Sequence, residues 1–383
     1  MVNIVVAMDS FKGSLSSSAA GSAVAAGVCR VFPAAQLRVC PLADGGEGTV
    51  AALTAAMGGR LVQCAVTGPL GRPALCTYGV VGQTAILEVA EAAGLTLLGP
   101  EERDPRHTTT FGLGQAIRHA LEQDCRRFIV GLGGSATNDG GAGMLQALGF
   151  SLWQEDGTLL TVPGAAGLAR LTRITAEHVL PELQDCEFHV ACDVATPLCG
   201  PAGCSAVFGP QKGATPEMVP LLDAWLGRFA RCAAALYHET DPDAPGSGAA
   251  GGLGFAFRTF LGGTLEPGAA LVLRETGLGA ALREADLVFT GEGRLDGQTA
   301  LGKGPAAVAQ LARQYKKPVI ALAGSVTEEA RDAGAFDACF SILPGTCTLE
   351  EAMEPRRAAD NLMNTAEQVC RLLAIYGDLA MQS

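Results

Sequence analysis

A glycine-rich segment in the first half of the chain decides the fold: Gly131-Leu132-Gly133-Gly134-Ser135-Ala136-Thr137-Asn138-Asp139-Gly140-Gly141-Ala142-Gly143. An apolar run at residues 128–130 precedes it and a helix-like run at residues 144–148 follows, so the order is strand, turn, helix. Glycine permits positive φ and a close approach of the backbone to a ligand. Because the N–H groups at a helix start attract anions, the segment predicts a cradle for an anion such as phosphate.

The length and composition indicate an α/β protein of two domains. A chain of 383 residues exceeds the usual size of one domain. Hydrophobic residues make up 48% and charged residues only 17%, and the 50 glycines are nearly twice the ordinary share of about 7%. The glycines cluster in turns between apolar runs. Either the protein has many tight turns, or several glycine loops converge on one ligand.

The net charge of −12 argues against a general nucleic-acid or acidic-membrane surface, because such binding depends on Lys and Arg. A small anionic ligand remains compatible with this charge, since backbone N–H groups, a few basic residues and Mg²⁺ act locally. Aromatic residues are 5% of the chain, too few for base-stacking platforms.

The cysteines indicate a reducing compartment. There are 13 of them without a CxxC pair, and the closely spaced pairs, such as Cys199 with Cys204, fit no standard zinc pattern. Asp9 and Lys12 come too early for a signal peptide, and no apolar run reaches the roughly 18 residues of a membrane span. The sequence therefore predicts a cytoplasmic protein with reduced, mostly buried thiols.

Strands and helices alternate at both ends of the chain. The opening predicts strands at residues 3–8 and 37–42, each followed by a helix, and the closing third predicts strands at residues 286–290, 319–323 and 339–343 with helices between and after them. The middle differs, because short strand-like runs at residues 74–81 and 84–88 look antiparallel and residues 241–254 look like a loop.

This arrangement predicts the α/β fold class, with a Rossmann-like parallel-sheet domain built from both termini and interrupted by a second α/β domain with a mixed sheet. The predicted boundaries are residues 1–66 plus 285–383 for the first domain and residues 67–284 for the inserted one.

Three loops combine acidic residues with glycines, at residues 44–48, 138–143 and 291–297. Each follows a predicted strand, where open α/β sheets place their ligands. Glycine N–H groups can hold phosphate oxygens while carboxylates hold Mg²⁺ or orient an attacking hydroxyl, so the pairing suits phosphoryl transfer. The alternative is that Asp and Gly simply favour turns.

Two nucleotide motifs match only in part. Residues 297–304 have the Walker A spacing, but Gly304 replaces the Ser/Thr that would meet Mg²⁺, which excludes a true P-loop and leaves Lys303 as a phosphate contact. Gly131-x-Gly133-x-x-Ala136 resembles the dinucleotide fingerprint, although no clear acidic residue follows at the required distance.

Four basic residues lie in glycine- or proline-rich turns: Lys12, Lys212, Arg72 and Arg294. Lysine can meet a phosphate or a carboxylate, and an arginine fork suits either group bidentately. The alternative for each is a solvated surface cation. The five histidines have no paired-ligand spacing and are interpreted as structural or surface residues.

Taken in order, these loops resemble the type-1 glycerate kinase family. The matching segments are residues 9–15, 41–49, 131–149, 193–214, 248–254 and 290–303. The departures are small: Met8 stands where Pro is frequent, Thr196 where Asn is usual, and Cys204 where Ala is usual. Thr196 puts in doubt only a contact that an amide side chain makes there.

The resemblance implies ATP-dependent phosphorylation of D-glycerate by an enzyme of two α/β domains, with 2-phosphoglycerate as the product and ATP and Mg²⁺ as cofactors. Its partners would be the small molecules glycerate and ATP. The residues alone lead only to a phosphate-handling enzyme that uses Mg²⁺.

Site residues follow from both lines of reasoning. Asp193, Asp44 and Lys12 are the candidate catalytic residues, the two carboxylates as base or Mg²⁺ ligand. The candidate substrate contacts are Ser10, Arg72, Arg294, Glu292 and Asp296. The candidate nucleotide contacts are Gly133, Gly134, Ser135, Thr137, Asn138, Asp139 and Lys212.

Two other functions remain open at this point. The Gly131–Ala136 fingerprint would suit an NAD-dependent oxidoreductase of a small hydroxy acid. A non-catalytic binding protein for a sugar acid would share the anion-binding features.

Overall fold

The computed structural model describes residues 2–43, 45–161, 164–297 and 304–380, with side chains of the last helix up to residue 375. The chain forms two compact units. The first unit comprises Met1–Asp44 with Ala269–Ser383, and the second comprises Gly45–Gly268.

The N-terminal part of the first unit contributes two strands and a helix, namely β1 (Asn3–Met8), α1 (Ser17–Val31) and β2 (Gln36–Val39). Strand β1 is a run of apolar residues of which all but Asn3 are buried, as expected for an inner strand of a parallel sheet. Helix α1 begins at Ser17 because the side chain of Ser16 accepts a hydrogen bond from the amide of Ala19.

The second unit contains the middle elements. They are α2 (Thr49–Ala56), β3 (Arg60–Thr67), β4 (Pro73–Val81), β5 (Thr84–Glu88), α3 (Val89–Ala93), α4 (Phe111–Glu122), β6 (Arg127–Gly131), α5 (Ala142–Ala147), β7 (Ser151–Gln154), β8 (Leu171–Thr175), β9 (Glu187–Ala191), α6 (Cys204–Phe208), α7 (Met218–Leu236), α8 (Ala249–Leu261) and β10 (Thr264–Glu266).

The C-terminal part completes the first unit. Its elements are α9 (Gly268–Glu275), α10 (Leu278–Glu284), β11 (Leu287–Gly291), β12 (Arg294–Leu295), α11 (Gly304–Gln314), β13 (Val319–Ala323), β14 (Ser325–Val326), α12 (Glu328–Asp332), β15 (Ala338–Ser341), α13 (Leu349–Met353) and α14 (Pro355–Ala380).

The sheet of the first unit is parallel, with the strand order β15-β13-β11-β1-β2. From β1 the chain moves to one side of the sheet, and from β11 it moves to the other, so the strand order reverses between these two neighbours. Met8 pairs with Gly291 at their carboxyl ends. Open α/β sheets bind ligands beside such a reversal.

The sheet of the second unit is mixed, with the order β10-β9-β6-β5-β4-β3. Strands β5, β6, β9 and β10 are parallel, whereas β3 and β4 run antiparallel to their neighbours. Glu88, Gly131 and Ala191 are neighbours at the carboxyl ends of β5, β6 and β9. The predicted fold class, a parallel-sheet unit from both termini around a unit with a mixed sheet, is confirmed.

The boundaries of the two units differ from those predicted from the sequence. Residues 45–66 belong to the second unit because β3 pairs with β4 along its whole length. Helix α10, in contrast, belongs to the first unit, where Leu278 and Leu282 share a hydrophobic core with Val5 and Val288.

Some elements were not predicted from the sequence. Four of the eight residues of strand β3 are exposed and the β7–β8 hairpin is short, so neither has a strong apolar pattern. Helix α8 is counted from Ala249, but its backbone is left-handed at residues 250–252, so the predicted loop holds up to residue 252 and regular helix follows it. None of the helices in the described part of the chain combines the length and apolar composition that a membrane span requires.

Candidate functional site

Two glycine-rich loops of the second unit contact each other: residues 45–48, and residues 131–143, which form the glycine loop. The amide of Gly133 donates to the carbonyl of Gly45 over 3.2 Å. A Cβ on Gly133 would lie 2.6 Å from the Cα of Gly46, and a Cβ on Gly131 would overlap the Gly45 carbonyl oxygen. Glycine is therefore required at residues 131 and 133 because the backbone of residues 45–46 passes directly over them.

Asp139 occupies the start of helix α5 with its own carboxylate. The side chain is fully buried and accepts hydrogen bonds from the amide and the hydroxyl of Thr110, both at 2.9 Å, and from the amides of Gly141 and Gly143 at 3.1 and 3.2 Å. The next amide, that of Met144, donates to the Thr110 hydroxyl. These helix-start N–H groups, which the sequence analysis assigned to a ligand anion, are thus already satisfied within the protein.

Burial raises the pKa of the Asp139 carboxyl, and the hydrogen bonds from Thr110, Gly141 and Gly143 oppose that rise. A carboxylate with four donors and no solvent exposure is a structural anion. Its hydrogen bonds tie the glycine loop to the segment before α4.

Lys212 lies beneath the same loop. Its side chain is 1% exposed, and Nζ donates to the hydroxyl of Ser135 over 2.9 Å and to the carbonyl of Thr137 over 2.6 Å. Burial lowers the pKa of the Lys212 ammonium to about 8, while the charges of Cys204 and Asp139 oppose the shift. The loop therefore carries a buried cation whose charge adds to the positive potential of its amides.

The remaining polar residues of the loop also face inward. Asn138 donates from Nδ2 to the hydroxyl of Ser205 over 3.0 Å. The Thr137 hydroxyl is fully buried and has no hydrogen-bond partner within the described residues. Gly133 is half-buried and Gly134 exposed. Of the seven predicted nucleotide contacts, only these two glycines are not buried. The side chains of Ser135, Asn138, Asp139 and Lys212 form hydrogen bonds within the protein, and Thr137 accepts from Lys212 through its backbone carbonyl.

The start of helix α8 packs against the glycine loop. The amide of Gly140 donates to the carbonyl of Gly251 over 2.9 Å. Gly251 has φ +71°, and a Cβ there would overlap the Thr137 carbonyl oxygen that accepts from Lys212. Residue 251 must therefore be glycine for two reasons, its left-handed backbone and this close approach.

Glu88 is a site residue that the sequence analysis missed. It ends strand β5, is 3% exposed, and accepts hydrogen bonds from the amides of Gly48 and Val50 at 3.2 and 2.5 Å. Burial raises the pKa of the Glu88 carboxyl to about 7, although the two backbone hydrogen bonds oppose the shift. One sequence feature could have identified Glu88: it is an acidic residue at the end of an apolar strand, and the next predicted strand leads into the glycine loop.

The predicted residues Asp193 and Arg72 also belong to the second unit. Asp193 follows β9, is exposed, and accepts from the amide of Gly268 over 2.9 Å. Arg72 forms an ion pair of 2.7 Å with Glu102, and the Arg72 guanidinium lowers the pKa of that carboxyl. Both side chains reach solvent, so they are accessible to a substrate.

The other predicted substrate contacts gather in the first unit, where the strand order reverses. The amide of Ser10 donates to the carboxylate of Asp9 over 2.6 Å, and Lys12 is exposed two residues further on. Gly293 lies against this turn, since a Cβ there would be 3.4 Å from the Cα of Phe11.

The loop after β11 contains three further predicted residues and lies beside the turn at residues 9–12. Residues 9–12 and 291–297 together form the corner of the first unit. Arg294 and Asp296 approach each other at 3.7 Å, and Glu292 is half-buried. The structure thus places Ser10 and Lys12 beside the loop of Glu292. Asp44 and Lys303, which the sequence analysis also singled out, lie outside the described residues.

A Mg²⁺ ion would need carboxylate oxygens that are open to it. Within the described ranges, no three His, Cys, Asp or Glu side chains form a metal-binding group. Mg²⁺ in kinases usually takes one or two carboxylates and completes its shell with water and phosphate. Asp193 fits this pattern because it is exposed, whereas Asp139 does not, because protein donors occupy both of its oxygens.

Glycine loops at the carboxyl ends of parallel strands, one of them over a buried lysine, define a class of phosphate-handling α/β enzymes. The sequence profile of the glycerate kinase family matches residues 4–374. The chain belongs to this family, as the resemblance predicted, and it is a kinase rather than a binding protein.

Individual relatives agree over the whole length. The chain is 45% identical to the glycerate kinase of Bacillus subtilis over 96% of its own length and 97% of that protein. It is 44% identical to the glycerate 2-kinase of Escherichia coli over 98% of both chains. A crystal structure described as glycerate kinase 2 from Salmonella typhimurium LT2 superposes with a TM-score of 0.90 at 45% identity, covering 99% of this chain and all of that one.

The partial dinucleotide fingerprint is not supported by the local structure. In a dinucleotide-binding turn the helix opens within the glycine motif. Here helix α5 begins at Ala142, six residues after Ala136, and its first amides are held by Asp139. The interpretation as an NAD-dependent oxidoreductase therefore loses the feature on which it rested.

Proposed function

We propose that this enzyme transfers the γ-phosphoryl group of ATP to the 2-hydroxyl of D-glycerate and releases 2-phosphoglycerate and ADP. The observation that carries the proposal is membership of the glycerate kinase family over nearly the whole chain. The choice of the 2-hydroxyl draws on the Escherichia coli relative, which is named a glycerate 2-kinase.

The nucleotide phosphates are assigned to the glycine loop. Gly134 is exposed, so its backbone can meet a ligand without side chains in the way, and Gly133 beside it is half-buried with its amide already bonded to Gly45. Lys212, Ser135 and Thr137 act from below, through one buried hydrogen-bonded group. Asn138 and Asp139 complete the predicted set as residues that fix the loop conformation.

The glycerate carboxylate is assigned to the exposed cations. Lys12 and Arg294 lie in one corner of the first unit, and Arg72 is the corresponding candidate in the second. Cationic side chains form the strongest hydrogen bonds with carboxylates, so any of the three can orient glycerate. Ser10, Glu292 and Asp296 are the polar groups of the same corner and are assigned to the substrate hydroxyls.

The acceptor hydroxyl needs a base. Asp193 and Asp44 are the two carboxylates assigned to this role or to Mg²⁺. Asp193 is exposed at the carboxyl end of a parallel strand, which is where such groups act. Mg²⁺, brought by ATP, would supply charge neutralisation at the phosphates, and Asp193 supplies one carboxylate for it.

The purified protein provides the test. Incubation with D-glycerate and Mg-ATP is expected to release ADP, and phosphorus NMR identifies the phosphorylated hydroxyl. NADH formation from glycerate and NAD, without ADP release from ATP, would overturn the proposal. A signal from 3-phosphoglycerate alone would overturn the choice of hydroxyl.

Variants then assign the carboxylates. Asp193→Asn and Asp44→Asn are each expected to lower kcat about 100-fold or more, as removal of a catalytic base does. Asp185→Asn is the matched control, because Asp185 is an exposed aspartate just before the opposite end of the same strand. Near wild-type kcat in both test variants, with unchanged circular dichroism, would remove Asp193 and Asp44 from the mechanism.

We also propose the cytoplasm as the working compartment. All 13 cysteines are free thiols in the structure. Free thiols persist where glutathione and thioredoxin keep them reduced.

A further inference from the structure

Glu88 lies beside the residues that form the candidate site in the second unit. It is the last residue of β5, where it pairs in register with Gly131, the first residue of the glycine loop. Gly131 in turn pairs with Ala191, two residues before Asp193. A carboxylate that is 3% exposed thus lies at the shared edge of three parallel strands.

The hydrogen bonds of Glu88 replace a missing helix cap. Helix α2 has Gly48 at its N-cap position, where no side chain is present to accept from the first amides. Glu88 accepts from Gly48 through Oε2 and from Val50 through Oε1. A carboxylate is the favoured group at this end of a helix because the N–H dipoles point towards it.

The same short loop is fastened at its other end by the glycine loop. Gly45 accepts from the amide of Gly133, and Thr49 donates from its hydroxyl to the carbonyl of Gly46 over 2.7 Å. Residues 45–50 are therefore held between Glu88 and Gly133. Residue 44 directly precedes this segment in the chain.

We propose that Glu88 is a positioning residue for phosphoryl transfer: its ionised carboxylate holds residues 45–50 against the glycine loop, and protonation of that carboxylate loosens them. The inference rests on the proposed kinase function for its effect on turnover. The effect on the segment itself is independent of the reaction.

Protonation weakens this attachment for a geometric reason. Both oxygens face N–H donors, and a protonated carboxyl turns one of them into a donor. The acidic groups around Glu88 are Glu91 on α3 and Glu47 in the loop, and both raise its pKa further. Cys76 on β4 is also near, and its thiol stays neutral because a hydrogen bond with Cys64 and burial raise its pKa. With a pKa of about 7, the Glu88 carboxyl changes its charge in the neutral range.

Hydrogen exchange on the full-length enzyme tests the attachment without any reaction. In Glu88→Gln, the amides of Gly48 and Val50 are expected to exchange about tenfold faster than in the wild type at about pH 8, since the charged acceptor is gone. In the wild type, the two hydrogen bonds lower the pKa of Glu88, so protonation favours a state in which Glu88 is still buried but the amides of Gly48 and Val50 are detached. Their protection, corrected for intrinsic exchange, is therefore expected to fall between about pH 8 and about pH 6. Glu88→Gln is expected to show no such fall.

Glu91→Gln is the matched control. Glu91 also accepts from a backbone amide, that of Thr77 over 3.1 Å, but on strand β4 away from the loop. Its removal is expected to speed exchange at Thr77 and to leave the protection of Gly48 and Val50 unchanged at about pH 8, with a small downward shift of the pH midpoint because one acidic neighbour is lost.

Turnover gives the second readout. Wild-type kcat is expected to rise through about pH 7 as Glu88 ionises, and Glu88→Gln is expected to lower kcat about tenfold with a smaller change in KM. Glu88→Asp retains the charge, so it is expected to recover part of kcat and to keep a titration in the neutral range. It also serves if the Gln variant does not fold.

The outcomes separate the two proposals. Unchanged exchange at Gly48 and Val50 in Glu88→Gln, or an unchanged kcat profile in a variant with faster exchange, overturns the role of Glu88. A wild-type protein that releases no ADP from glycerate and Mg-ATP overturns the proposed function, while the exchange data still show whether Glu88 holds the loop.

Discussion

The glycine loop of the second unit and the corner of the first unit use polar residues in opposite ways. In the loop at residues 131–143, Asp139 and Lys212 are buried and satisfied by protein groups, and glycines remain at the surface. In the corner around residues 9–12 and 291–297, the charged side chains of Lys12 and Arg294 stay exposed. The first region presents a shaped backbone, and the second presents side chains directly.

This contrast separates buried charged residues from exposed charged residues, which cannot be told apart from the sequence alone. A buried charge fixes geometry, so its loss is expected to affect folding first. An exposed charge meets a ligand, so its loss is expected to affect KM without affecting folding. The two expectations can be tested side by side in the same protein.

The largest effect is expected at Asp139. Asp139→Asn is expected to lower the free energy of unfolding by about 2–3 kcal/mol, because the amide NH2 group replaces a buried carboxylate oxygen and leaves a buried N–H donor of the loop unsatisfied. Asp104→Asn is the control, since Asp104 is partly exposed in its ion pair with Arg106 and is expected to cost about 1 kcal/mol or less. Urea denaturation measures both. Equal, small losses would show that burial of Asp139 is not what holds the loop.

A smaller effect, on substrate binding, is expected in the corner of the first unit. Lys12→Met and Arg294→Met are each expected to raise KM for glycerate about tenfold or more, the value of one charge-assisted hydrogen bond. Their melting temperatures are expected to stay near that of the wild type, since both side chains are exposed. Arg356→Met, an exposed arginine of the same unit, is the control. If all three variants behave alike, the corner does not bind glycerate.

Proton uptake is expected when the nucleotide binds. The pKa of Lys212 is about 8 in the free enzyme, so above that pH the side chain is mostly neutral. A bound phosphate favours the charged form and raises this pKa, so binding at about pH 8.5 is expected to take up about half a proton. Calorimetry in two buffers of different ionisation enthalpy measures the number. Uptake that persists in Lys212→Met would assign the proton to another group.

The smallest effect on stability is expected at Arg72. Its ion pair with Glu102 lies in solvent, where such pairs contribute little. Arg72→Ala is therefore expected to leave the melting temperature unchanged within error. A rise in KM for glycerate in the same variant would make Arg72 a ligand contact like Lys12, and an unchanged KM would leave it a surface residue.

The sequence predicts the inner strands well, because burial on both faces produces continuous apolar runs. Strands β1 and β13 have the predicted ends. Strand β3 gave no such signal because it lies at the edge of its sheet, with four of its eight residues exposed. The start of α8 was interpreted as a loop because it is glycine-rich, and the backbone there is indeed left-handed at three successive residues, 250–252.

The position of the candidate site in the chain could be predicted from the sequence, but the direction in which each side chain points could not. A glycine-rich turn between a strand and a helix marks the place of residues 131–143. Whether Asp139 points to a ligand or back into the protein depends on Thr110, which is distant in the sequence. Glu88 was missed for the same reason, because its partners Gly48 and Val50 are about 40 residues away.

The close packing of Gly251 against Thr137 has a practical consequence for protein engineering. A methyl group at residue 251 would push away the carbonyl that holds the Lys212 ammonium. The glycine loop can therefore not be transplanted alone into another scaffold. A working graft has to carry residues 131–143, the lysine below them and the glycine turn of α8 as a single cassette.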